Sequence, residues 1–211
     1  MNLTFDFGLF RSETKNTLLN PGSYFSKMQV AGGMTAPILK ALMYGIVAGI
    51  IYLICWLLKI RAFGAGDVGD AVGLLAFIKI ILGSLAGLFL GSGLLFLISS
   101  ICNGITVFEV NLNVSSSLMA ILPVYAVLRI LSALNVYLGL VINLVVFLYF
   151  LWLLYHGLVE ALKCRTGNVK IVCWVFTLLF LLTLFLNFRA LSKSENSNLE
   201  IKKPIKELRK N

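Results

Sequence analysis

Apolar runs long enough to cross a bilayer recur along the chain, separated by stretches that gather most of the charges. A spanning helix needs about 20 consecutive apolar residues. The stretches that qualify are Ile38–Leu58, Ile80–Ile101, Ser117–Ala133, Val136–Gly157 and Lys170–Phe188. The third is the shortest, and the turn that follows it, around Leu134 and Asn135, is tight, so the third and fourth predict a helical hairpin. The fold class that follows is all-α, an integral membrane bundle of five transmembrane helices. Between the first two spans, RAFGAGDVGDAVGLLAFIK (residues 61–79) opens as a glycine- and aspartate-rich loop. Its end, 70–79, predicts an interfacial helix closed by Lys79, whose side chain would reach the headgroups. The alternative is one long, tilted helix that takes in the second span as well. Three regions result: a polar N-terminal segment (1–37) without a secretory leader pattern, a transmembrane domain (38–188), and a basic C-terminal tail (189–211) predicted to be disordered.

Composition agrees with a membrane protein. Of 211 residues, 59% are hydrophobic and 13% charged, against roughly a quarter charged in soluble domains. The mean hydropathy is +0.94. The net charge is +9, and the tail holds much of it, in Arg189, Lys193, Lys202, Lys203, Lys206, Arg209 and Lys210. A basic tail beside a membrane fixes orientation and is attracted weakly to anionic lipid. Without a soluble domain or an aromatic-interleaved basic patch, a nucleic-acid partner is not expected. Weighing Lys and Arg on the two sides of the predicted spans favours a cytoplasmic C-terminus.

The chain offers little chemistry. Cys55, Cys102, Cys164 and Cys173 lie singly and His156 is the only histidine, so neither a zinc site nor a disulfide framework is indicated. No catalytic motif is present, and neither a cofactor nor a metal is expected. All nine acids fall outside the predicted spans, which argues against ion-coupled transport. The polar candidates inside the membrane are Arg129, Asn143 and His156. Arg129 can reach the headgroups from its place near the end of the third span. Small residues recur at helical spacing: Gly45 and Gly49 in GIVAG, and Gly83, Gly87 and Gly91 in GSLAGLFLG. Such faces allow close helix approach, within the chain or in an oligomer.

Asn20-Pro21, Tyr24-Phe25, Gly32-Gly33 and Pro37, leading into the first span, resemble the entry segment of Yip1-domain proteins. NGITVFEVNLNVSSSLMAILPVY (103–125) is similar to that domain's central pattern, with Gly104, Phe108, Ser115, Ser116 and Pro123 at matching positions. LWLLYHGL (151–158), with Gly157, looks like the end of the family's fourth span. The pattern positions are thus Pro21, Phe25, Gly104, Phe108, Pro123 and Gly157, and the resemblance covers about 20–190. It implies a five-helix membrane domain. In eukaryotes it implies a role in membrane traffic, with small-GTPase binding and association with other family members. The chain departs from the eukaryotic pattern in lacking a long polar N-terminal region. That argues against small-GTPase binding and for a prokaryotic-type member in a cytoplasmic membrane rather than the ER or Golgi. The family's cytosolic N-terminus is the reverse of the orientation that the charges favour.

The expected function is non-enzymatic: organising membrane or recruiting partners, with membrane lipids, other membrane proteins or a second copy of the chain as partners. The alternative is a passive transporter, channel or lipid-handling protein. It would need polar residues such as Ser84, Ser92, Tyr125, Arg129 and Asn143 to converge on one cavity.

Overall fold

The computed structural model describes residues 6–28, 33–58, 73–132 and 135–186. Among these, five helices are long and apolar enough to cross a membrane. The contacts divide the chain into one unit through Lys170 and a second from Ile171.

The first unit begins with two short helices, α1 (Phe7–Leu19) and α2 (Pro21–Ser26). Asp6 caps α1, its carboxylate accepting from the backbone N–H groups of Gly8 and Leu9 at 2.8 and 3.1 Å. Pro21 opens α2, where a missing N–H costs nothing. The first span is α3 (Thr35–Leu57). The second is α4 (Gly73–Ile101), 29 residues without interruption. Residues 73–79 therefore belong to the long helix that the sequence left as the alternative, and no separate interfacial helix is seen among the described residues. Packing explains the extension, since Phe77 lies against Gly49 of α3. At 1.5 Å per residue α4 is about 43 Å long, more than the roughly 30 Å hydrocarbon core requires.

The third span comes in two pieces, α5 (Phe108–Leu118) and α6 (Ile121–Leu131). It begins nine residues before the expected Ser117. Hydropathy misses α5 because its sequence is polar, yet Asn111, Ser115, Ser116 and Ser117 are all buried. Three of them turn their polar groups back on carbonyls of the same helix or its approach: Asn111 on Val107, Ser116 and Ser117 on Asn113. Ser115 donates instead to the Leu88 carbonyl of α4 at 3.3 Å. The break at Met119–Ala120 has its cause in Pro123, which cannot donate to the Met119 carbonyl and whose ring crowds it. The fourth span is α7 (Val136–His156), capped by the Asn135 side chain and prolonged by a π-helical turn, Gly157–Ala161.

Within this unit α3 and α4 run antiparallel, with Gly45 against Ser84 and Gly49 against Phe77. The starts of α3 and α5 and the ends of α4 and α7 share one membrane face, called the first face below. The ends of α3 and α6 and the start of α7 share the other. Two apolar clusters fill the interior: Ala41, Leu88 and Leu112 with Phe108 and Met119 against them, and Phe10, Tyr44 and Ala120 with Leu18 and Met43 against them. The second cluster shows that α1 is part of the bundle. The Phe10 ring lies 5.0 Å from that of Tyr44, the Thr14 and Tyr44 hydroxyls are 2.8 Å apart, and Tyr149 of α7 donates to the Leu18 carbonyl.

The last span, α8 (Thr166–Leu186), lies mostly in the second unit. It starts earlier than the expected Lys170. Its Thr177 and Thr183 hydroxyls donate to carbonyls one turn back. The expected span end at Phe188, the basic tail and most of the 61–79 loop lie outside the described residues.

Candidate functional site

The bundle opens on its first face into a groove of about 830 Å³. The joint at Asn20–Pro21 lets α1 and α2 wrap around it. Glu13 and Asn16 come from α1, Tyr24 from α2, Lys27 from the residue that ends it, Lys40 from α3 and Asn113 from α5. Lys40 holds Glu13 at 2.6 Å, with the lysine side chain 16% exposed and the glutamate 38%. The same ammonium donates to the Tyr24 hydroxyl at 3.5 Å. That hydroxyl shares a hydrogen bond of 3.0 Å with Ser117. Lys27 is exposed.

Beside the groove the first-face connections are drawn tightly together. Phe25, 1% exposed, packs on Gly157, where an added Cβ would come within 3.0 Å of Val114. At Gly104 a Cβ would lie 2.5 Å from Cys164 Sγ, 2.6 Å from the Leu162 carbonyl and 2.7 Å from Ser99 Oγ. Backbone bonds from Ile105 to Leu162 (2.7 Å) and from Arg165 to Cys102 (3.2 Å) tie the two connections together. Cys102 and Cys164, both buried, come close here, and Cys164 Sγ donates to Ser99 Oγ at 3.9 Å. Burial pushes both thiols above the ordinary cysteine range; the neighbouring Cys164 works the other way on Cys102, and Ser99 does so on Cys164. Each cysteine is solitary in sequence, and only the fold pairs them.

Near the other face Arg129 donates to the Tyr52 hydroxyl of α3 at 3.1 Å. Its guanidinium lies 5.8 Å from the Tyr52 ring centre and 6.0 Å from that of Tyr125. Tyr125 in turn donates to Asn143 of α7 at 3.1 Å. Arg129, Tyr125 and Asn143 are thus brought together, with Tyr52 added. Ser84 and Ser92 stand apart, donating to the Ile81 and Leu88 carbonyls.

His156 sits edge-on to Trp152 and Tyr155 and against Gly22. Its Nδ1 is buried and meets no hydrogen-bond partner. Of the glycine candidates, Gly45 and Gly49 line the α3–α4 seam and Gly91 meets Ser115 of α5. At Gly83 and Gly87 a Cβ would find nothing within 4 Å, so the face is close-packed at one of its three glycines only. Two acids expected outside the spans lie in span ends on the first face, Glu109 in the first turn of α5 and Glu160 in the π turn. Among the described residues no group of three or more His, Cys, Asp or Glu side chains could hold a metal ion.

The family model of the Yip1 domain matches residues 15–187. The chain belongs to the Yip1-domain family. Neither a curated protein nor a solved structure matches it. In this Yip1 domain the pattern positions have visible tasks around the first face. Pro21 starts the helix that carries Tyr24. Phe25 and Gly157 interlock, and Gly104 admits the Leu162 carbonyl. Phe108 covers the Ala41–Leu88–Leu112 cluster, and Pro123 sets the break in the third span. The matched region takes in the groove from Asn16 to Asn113, leaving Glu13 just outside it.

Proposed function

We propose that this Yip1-family membrane protein is non-enzymatic and organises membrane or recruits partners. One observation carries the reading: among the described residues, the polar side chains do not converge on one route across the bundle. The Glu13–Lys40–Tyr24 groove lies at the first face and the Arg129–Tyr52–Tyr125–Asn143 group toward the other. Between them stand the Ala41–Leu88–Leu112 and Phe10–Tyr44–Ala120 clusters. Passage of a polar solute would need those side chains to part. Reconstitution of the full chain in sealed vesicles tests the reading. Potassium and a small uncharged solute should cross no faster than in protein-free vesicles. A protein-dependent flux that changes in Arg129→Leu would favour the passive transporter instead.

A further inference from the structure

We propose that the first-face groove is a binding site for a phosphodiester, supplied by the headgroup of a membrane phospholipid. The inference concerns a ligand of the protein itself and goes beyond partner recruitment. The donors suit a phosphate. An ammonium offers three N–H groups. Lys40 places one on Glu13 at 2.6 Å and a longer one on Tyr24 at 3.5 Å, which leaves capacity for a guest oxygen. Lys27 and Asn16, both exposed, add a second ammonium and an amide at the rim, and the half-buried Asn113 adds another amide to the lining. The signs limit the guest as well. Two lysines and one glutamate leave the lining a single positive charge, which one phosphodiester balances.

Glu13 has a further effect. It keeps the largely buried Lys40 ammonium paired when the groove is empty, since a buried charge without a partner is costly. It also repels a more highly charged phosphomonoester. Depth points to a lipid as the source. Lys40 lies about 7.5 Å along its span from Thr35, and Asn113 the same distance from Phe108, at 1.5 Å per residue. The polar layer on each side of the hydrocarbon is about 5–8 Å thick. With the helix starts taken as the outer edge of the polar layer, Lys40 and Asn113 come to the level where phosphates meet acyl chains, and Met28 and Ala36 add apolar surface to the lining.

The test uses the full-length protein in an uncharged detergent, titrated with short-chain phosphatidylglycerol and read by native mass spectrometry and by the unfolding temperature. Short-chain diacylglycerol and inorganic phosphate serve as separate arms. The phospholipid should bind and raise the unfolding temperature, while diacylglycerol and phosphate at equal concentration should not. Lys40→Gln should weaken phospholipid binding about tenfold, the loss of one charge-assisted hydrogen bond. Lys27→Gln should weaken it severalfold with the ligand-free unfolding temperature unchanged. Should Lys40→Gln fail to fold, Lys27→Gln and the reversal Lys27→Glu decide, the reversal weakening binding more. Equal binding of diacylglycerol, or affinity unchanged in the Lys27 variants, would overturn the proposal. Binding of inorganic phosphate as tightly as the lipid would overturn the lipid as the source.

Discussion

At Gly104 the space available to a side chain is closed by a backbone carbonyl and two buried side chains. The Leu162 carbonyl and Ser99 Oγ would stand 2.6 and 2.7 Å from a Cβ, and neither can move without loosening the bonds between the two first-face connections. Gly104→Ala should therefore destabilise the fold by about 1–3 kcal/mol, visible as a lower unfolding temperature in detergent. Gly87→Ala serves as the contrast: a Cβ there meets nothing, and the unfolding temperature should hold. Equal losses in both would show that glycine's backbone matters at these positions and that close approach does not. The thiols beside Gly104 give a second expectation. Burial disfavours the thiolate and raises both Cys102 and Cys164, so the reactive anion is scarce at pH 7 and grows in only above the ordinary cysteine range. Alkylation of the native protein at these two sites should be slow at pH 7 and accelerate with pH to a higher midpoint than a free thiol. A midpoint at or below the free-thiol value would contradict the buried environment. None of this could be read from the sequence, in which Cys102 and Cys164 are far apart and Gly104 differs from Gly87 only in its neighbours.

At the scale of elements, the apolar runs located α3, α7 and the start of α8 to within a few residues, because a lipid-facing helix is recognised by what it lacks. The same criterion clipped the third span. The buried serines and Asn111 of α5 satisfy themselves largely on nearby carbonyls, which hydropathy cannot register. It also cut α4 short, since Lys79 looks like a boundary but is an exposed residue within a continuous helix. Arg129 couples two elements. Its place near the end of α6 was legible as a charge able to reach the headgroups; its partner on α3 was not. The planar guanidinium both bonds the Tyr52 hydroxyl and lies over two rings, and a lysine cannot keep all of these together. Arg129→Lys should cost about 0.5–2 kcal/mol, with Tyr52→Phe giving part of the same loss and the double variant little more than Arg129→Lys alone. Strict additivity would mean that Arg129 and Tyr52 act independently.

For the whole molecule, the five spans found among the described residues predict that the segments before the first and after the last lie on opposite sides of the membrane. With the native cysteines replaced, Ser26→Cys and Ser197→Cys should be labelled by an impermeant reagent from opposite sides of sealed vesicles. Labelling of both from one side would remove a span from the count. The five-helix class and the family were readable from the order of apolar runs and from a few glycines, prolines and aromatics. The groove was not, because its lysines, glutamate and amides are scattered from Glu13 to Asn113 and look like ordinary solvated residues until α1 and α2 fold over the bundle.

That folding-over bears on the order of assembly. The contacts of α1 include Lys40, Tyr44, Ala120 and Tyr149, so α1, made before every span it packs on, finds its full seat only once most of the fourth span has been made. Arg11, Glu13 and Lys15 disfavour entry of an undocked α1 into the hydrocarbon. Docking of α1 is then a late step that reports on the first four spans. An amino-terminal fusion or deletion should accordingly leave insertion of the spans intact and act late, on maturation of the inserted protein.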